Sequence, residues 1–190
     1  MSAPAALQFG YWLDGTLPDN VILGANSLIC GELAFKRFHS RQNPGLVVGE
    51  NCTLDGVHFA FGENATAQFG DYCFFSNAIL LCELEIRVGN HVMLGWNVTI
   101  ADTDFHPLSP AKRVADAIAC SPFGKSGQRP PVEAQPVVLE DDTWIGPGAT
   151  ILKGVRIGAG SFVEPGALVT RDIPRRSRVA GNPARIIGTV

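Results

Sequence analysis

The sequence predicts an all-β solenoid, a parallel β-helix whose short strands stack coil upon coil. Two observations carry that prediction. The first is a repeat of six residues. Aliphatic side chains recur at Leu139, Ile145, Ile151, Ile157, Val163 and Val169. Four residues after each stands a small or branched one: Thr143, Ala149, Val155, Ser161, Ala167 and Ile173. A period of six matches neither an amphipathic helix nor a flat strand, and it is the signature of a hexapeptide β-helix. The second is the placement of glycine. Gly148, Gly154, Gly160 and Gly166 each follow an aliphatic residue by three. A tight corner between short strands needs positive φ there, which glycine adopts without steric cost.

Upstream the repeat continues in looser form. Leu94-Gly95-Trp96-Asn97-Val98-Thr99 is one hexad, preceded by Val88-Gly89-Asn90-His91-Val92. Phe69-Gly70-Asp71-Tyr72-Cys73, Val48-Gly49-Glu50-Asn51-Cys52 and Leu23-Gly24-Ala25-Asn26-Ser27 follow the same plan. Asn26, Asn51, Asn64 and Asn97 take the corner place that glycine holds later, since asparagine also tolerates positive φ. Three hexads make a coil of about eighteen residues, so the stretch from Leu23 to Pro174 holds about six coils.

One segment breaks the register. Residues 106–136 contain six prolines and few aliphatic residues at the required spacing. A long interruption of this kind is predicted to project from one corner as an arm. Residues 37–46 form a smaller excursion. The segment 1–22, with Phe9, Tyr11 and Trp12, is expected to cap the first coil, and 175–190 the last. An open coil edge would otherwise invite strand pairing with other chains. The 190 residues read as a single domain, 1–190.

Composition narrows the function classes. Net charge is −3, without the basic excess that nucleic-acid binding demands. No apolar run is long enough for membrane insertion. The first residues lack the basic and apolar regions of a signal peptide. The five cysteines include no CxxC pair, so neither a zinc ribbon nor a thioredoxin motif is supported, and no metal is expected. Cys52 and Cys73 fall at the small inward position of their hexads. Reduced, structural cysteines of this kind point to a cytoplasmic location.

Several ordered motifs are more specific than any single hexad. They are Thr103-Asp104-Phe105-His106-Pro107, then Asp141-Asp142-Thr143-Trp144-Ile145-Gly146, then Val169-Thr170-Arg171-Asp172-Ile173-Pro174, then Ala180-Gly181-Asn182-Pro183-Ala184-Arg185. In this order they resemble the hexapeptide-repeat O-acetyltransferases, the maltose, galactoside and nodulation-factor enzymes among them. The resemblance is good from about Phe69 to Ile187 and weak before it. It implies a left-handed helix, acetyl-CoA as co-substrate, a saccharide acceptor and a homotrimer. In such trimers acetyl-CoA lies in a groove between neighbouring β-helices, and the projecting loop reaches the neighbour.

Moving an acetyl group from a thioester to a hydroxyl requires a base for the hydroxyl proton and a donor for the developing oxyanion. The resemblance makes His106 the base. An orienting acceptor for its second nitrogen has two candidates, Asp102 and Asp104. Asp104 would share a face with His106 on an extended segment; equally, both acids could satisfy turn backbone. Phe74-Phe75-Ser76-Asn77 resembles the place of an active-site asparagine, so Asn77 is expected to hold the acceptor or the oxyanion. Gly146, Pro147, Pro165 and Thr170 match positions along the pantetheine arm. Proline at 147 and 165 stands where small residues are common, and it offers a carbonyl but no N–H. Arg171 and Arg185 match the nucleotide end, and Arg175, Arg176 and Arg178 add local positive charge.

Three other readings stay open. N-acetylation of a nucleotide-linked amino sugar uses the same donor. A γ-class carbonic anhydrase shares the β-helix but needs three converging histidines, against His39, His58, His91 and His106 with no close pair. A non-catalytic β-helical scaffold would need neither His106 nor the arginines.

Overall fold

The computed structural model describes residues 11–12 and 16–190. Over these residues the chain winds as a left-handed parallel β-helix. Each coil lays one short strand on each of three faces, which hold nine, six and five strands among the described residues. One coil shows the route. Glu85–Val88 lies on the six-stranded face, Met93–Leu94 on the nine-stranded face and Thr99–Ala101 on the five-stranded face. Pairing is parallel except at the C-terminal end, where Ala184–Thr189 folds back antiparallel on Ser177–Gly181.

The helix makes about seven turns rather than six. The hexad count starts at Leu23 and stops at Pro174, whereas pairing runs past both. Tyr11 and Trp12 pair with Leu28 and Ile29, and Arg178 and Val179 pair with Phe162 and Val163. Beyond Ser177–Gly181 an antiparallel strand takes the place of a further coil, so the hexad pattern is not required there. Most of the expected cap over residues 1–22 lies outside the described residues.

The six-residue aliphatic column is the core. Leu139, Ile145, Ile151, Ile157, Val163 and Val169 are each at most 1% exposed. Each such burial stabilises the fold by about 1.5–3 kcal/mol. Upstream, the interior is filled by Phe59, Phe61, Phe69 and Phe75, all equally buried. Their rings pack edge-on, Phe69 against Phe75 at 5.2 Å and Phe59 against Phe61 at 5.8 Å between centroids. Larger rings replace the regular aliphatic-small alternation, which is why the hexads there are faint in sequence. Cys52 and Cys73 occupy the small inward position as expected, each 1% exposed.

The corners need positive φ, and their occupants are more varied than glycine and asparagine. At the corner entering the nine-stranded face, Asn26, Asn51, Tyr72, His91, Asp142, Gly160 and Arg176 all have φ between 56° and 67°. Asn64 does not belong to this set. Each corner is imposed by a backbone hydrogen bond to the preceding coil, such as Tyr72 N–H to Glu50 and His91 N–H to Asp71. The left-handed conformation costs a non-glycine residue roughly 1–2 kcal/mol, and the ladder outweighs it.

The arm at 106–136 is not structureless. It contains helix α1, Pro110–Ala119, and a short 3-10 turn at Ser126–Gln128. Ser109 caps the helix in extended conformation and Pro110 opens it. Proline is well suited to the first helical turn, where its missing N–H is not needed, and the alanine-rich run behind it has high helix propensity. The helix faces are inverted relative to an ordinary surface helix. Asp116 and Ala119 are buried, whereas Val114 and Ile118 are 62% and 65% exposed.

Candidate active site

The arm leaves the corner after Thr99–Ala101 through a narrow stem. Thr103 bridges Ala134, and Gln135 N–H donates to the Asp102 carbonyl at 2.8 Å. Lys153 fastens the two sides of the stem through Asp104 at 2.7 Å and Glu133 at 3.0 Å. These contacts raise the Lys153 pKa, the Asp104 hydrogen bond foremost.

Neither acid proposed as the orienting partner serves His106. Asp102 points back into the coil and is completely buried. Its carboxylate accepts the N–H groups of Glu83, Leu84 and Glu85 at 2.7–2.8 Å, and the Cys82 thiol at 3.2 Å. Asp104 is held by Lys153. The extended segment that would have set Asp104 beside His106 is absent, because the chain turns at Phe105 with φ 64°. The turn closes with His106 N–H donating to the Asp104 carbonyl at 2.7 Å.

The partner of His106 is Asp116, ten residues on and carried by α1. The His106 Nδ1 to Asp116 Oδ2 distance is 2.5 Å. The Asp116 side chain is 1% exposed, whereas that of His106 is 62% exposed. Arg129 completes the group. Its Nε donates to Asp116 Oδ1 at 2.7 Å, and its second arm reaches Asp116 Oδ2 at 3.3 Å and the Phe105 carbonyl at 3.0 Å. One guanidinium therefore fixes both the carboxylate and the turn that presents the histidine. Arg129 first, then His106, holds the Asp116 carboxyl at about 2. An ionised Asp116 takes the proton on Nδ1 as a hydrogen bond and leaves the lone pair of Nε2 facing outward.

This pairing has an acid limit. The folded pKa of Asp116 lies below the ordinary aspartate value of about 3.9, so its contribution to stability is present above about pH 4. That contribution is lost as pH falls through about 2. In an acid titration followed by the NMR signals of the arm, α1 is expected to release across this window in the wild type. Asp116→Asn should abolish that dependence. A wild-type arm that stays docked at pH 2 would contradict it.

Asn77 stands elsewhere. It sits at the corner between the nine- and five-stranded faces with φ 51°, and its side-chain amide donates to Asn97 Oδ1 at 2.7 Å. The arm leaves from the next corner, beyond the five-stranded face. Asn97 and Asp102 are separated by five residues of extended chain, about 16 Å. The predicted donor-binding residues divide in the same way. Pro147 and Pro165 lie on the Asn77 corner, whereas Thr170 and Arg171 follow Leu168–Val169 on the arm's corner, both exposed. Arg185 is exposed on the C-terminal hairpin. Gly146 is buried, with its N–H donated to Val163 at 2.8 Å and its carbonyl accepting from Ala149 at 3.1 Å. A Cβ there would lie 2.6 Å from the Pro165 nitrogen. Gly146 is thus required for coil spacing, and its backbone groups are already engaged.

Sequence reasoning named Arg129 only as a loop residue able to shape the acceptor site, and missed Asp116 and the ion pair between the two. A signal was present in Ser109-Pro110, a helix start that would have placed Asp116 on a helical face. Among the described residues no group of three His, Cys, Asp or Glu side chains converges as a metal site would require. No helix among them is long and apolar enough to cross a membrane.

Comparison with known proteins agrees with this architecture. The family described as Bacterial transferase hexapeptide (six repeats) matches residues 136–171. A galactoside O-acetyltransferase of Lactococcus lactis subsp. lactis is 38% identical over 141 residues, 73% of this chain and 60% of that protein. The chain therefore spans less than two thirds of that relative's length. A hexapeptide-repeat-containing acetyltransferase from Vibrio cholerae has a similar structure, with a TM-score of 0.59 and 30% identity, covering 73% of this chain and 69% of that one. Its complex with acetyl coenzyme A aligns at a TM-score of 0.55 and 28% identity, covering 71% of each.

Proposed function

This chain belongs to the hexapeptide-repeat acetyltransferases, and on that premise we propose that it transfers acetyl from acetyl-CoA to a hydroxyl of a sugar or saccharide precursor. The observation that carries the proposal is the His106–Asp116–Arg129 group. A buried, ionised carboxylate fixes the tautomer, and the outward Nε2 is the atom that takes the acceptor's proton. The oxygen so freed attacks the thioester carbonyl. The C–S bond then breaks, and the proton on Nε2 passes to the departing CoA thiolate. Asn77 donates to the developing oxyanion or holds the acceptor. Pro147, Pro165 and Thr170 line the pantetheine arm, and Arg171 and Arg185 meet the phosphates.

Such a site needs two copies. His106, Thr170 and Arg171 stand on one corner of the prism, and Asn77, Pro147 and Pro165 on the next, across a face about 16 Å wide. Contact between unlike corners of neighbouring copies joins the two halves. Such contacts are head-to-tail and form a ring when the rotation between copies closes; we take that ring to be a homotrimer. The exposed Val114 and Ile118 of α1 would then be covered by the neighbour. The thiols of Cys52, Cys73 and Cys82 support a cytoplasmic setting.

Calorimetric titration with acetyl-CoA tests the donor without knowledge of the acceptor. The expected result is saturable binding at about micromolar Kd, near −8 kcal/mol, with one site per chain. No heat at millimolar ligand would sink the reading. N-acetylation uses the same donor, and an amine-bearing acceptor turned over in preference to its hydroxyl counterpart would favour it.

A further inference from the structure

Away from His106, a second set of polar side chains stands in one row on the nine-stranded face. Cys30 is the direct partner of Asp55, and Asp55 of Ser76, on neighbouring parallel strands. Alternation turns all three outward, opposite Ile29, Leu54 and Phe75, which are wholly buried. The row ends at the Asn77 corner. Asn77 N–H donates to the Asp55 carbonyl at 2.6 Å, and its side chain is bonded to Asn97.

Ser76 is the anomaly. It is 8% exposed, and among the described residues nothing is hydrogen-bonded to its hydroxyl. A native chain rarely keeps a buried hydroxyl unsatisfied without a ligand or a function to account for it. Beside it, Asp55 is exposed, and the Cys30 thiol donates to its Oδ1 at 3.0 Å. The other carboxylate oxygen remains for a donor from outside.

The chemistry of the row is specific. Asp55 only accepts, Ser76 both donates and accepts, Asn77 Oδ1 accepts and the Asn97 amide donates. Neighbouring rungs are about 4.8 Å apart, a spacing that adjacent hydroxyls of a sugar ring can bridge. We propose that Asp55, Ser76 and Asn77 form an acceptor subsite that holds a vicinal diol of a pyranoside. Asp55 accepts from one hydroxyl and Ser76 bonds the next. This rests on the transferase reading, since the Asn77 corner is the one set against His106 of a second copy. A pyranoside held there presents a further hydroxyl to Nε2.

The test uses the full chain and methyl glucoside, methyl galactoside and methyl mannoside, titrated by NMR, with acetyl-CoA titrated separately by calorimetry. The wild type is expected to bind at least one glycoside. Asp55→Asn should weaken that binding about tenfold or more, and Ser76→Ala about three- to tenfold. Both should keep wild-type affinity for acetyl-CoA. A purely structural serine would behave otherwise, because Ser76→Ala would then leave glycoside binding untouched. A wild type that binds no glycoside at about 100 mM, far weaker than millimolar, overturns the subsite, as do two variants that bind like the wild type. Glycoside binding without acetyl-CoA binding would instead overturn the transferase reading and leave the subsite standing.

Discussion

His106→Ala is expected to lower acetyl transfer by about 10²–10⁴-fold, roughly 3–5 kcal/mol of barrier. Acetyl-CoA binding and the melting temperature should stay near wild type, because the imidazole is mostly exposed and no core contact depends on it. Asp116→Asn separates orientation from chemistry. The amide keeps the shape of the carboxylate but loses the charge that stabilises the imidazolium, and it permits the wrong tautomer. Its rate should fall by about 10²-fold or more, with the steeper loss in kcat than in acceptor KM. Since Asp116 also holds Arg129 and the Phe105 turn, the melting temperature of Asp116→Asn must be read alongside. Wild-type turnover in His106→Ala would remove the base from the mechanism. Loss in His106→Ala with full activity in Asp116→Asn would remove only the orienting role.

The second large effect is on stability. Asp102→Ala should destabilise the fold by about 3–5 kcal/mol, since it strips the fully buried acceptor from three backbone amides at once. For a domain of this size that is a fall of roughly 10 °C in Tm. The Cys82 thiol, which burial and then Asp102 push well above its ordinary pKa, would lose its acceptor too. Asp102→Asn should cost less, because one oxygen is retained. Asp102 therefore belongs to the scaffold, four residues from a histidine assigned to chemistry. If Asp102→Ala melts with the wild type, water has replaced the carboxylate and the site is less closed than its burial implies.

That division between two acids is also where sequence and structure part. The aliphatic column from Leu139 to Val169 was legible because its spacing admits a single arrangement. The Phe-filled coils were harder to see, since Phe59, Phe61, Phe69 and Phe75 stand in the interior where the later coils carry aliphatic side chains. Helix α1 was readable in Ser109-Pro110 and the alanine run, but the proline count around it suggested an irregular arm. Tyr72, His91 and Arg176 at positive φ carry no local signal at all. Their conformation is set by the coil below.

By itself the sequence determined the solenoid and the place where the arm departs, because each follows from local spacing or an ordered motif. Only the tertiary structure decided which acid faces His106. Asp102, Asp104 and Asp116 are indistinguishable by residue type and near one another in the chain. They are separated by a turn at Phe105, a lysine forty-nine residues beyond Asp104 and an arginine thirteen residues beyond Asp116. It also decided that Asn77 and His106 stand on different corners, since the winding of the coil, which no local pattern encodes, sets which side chains meet.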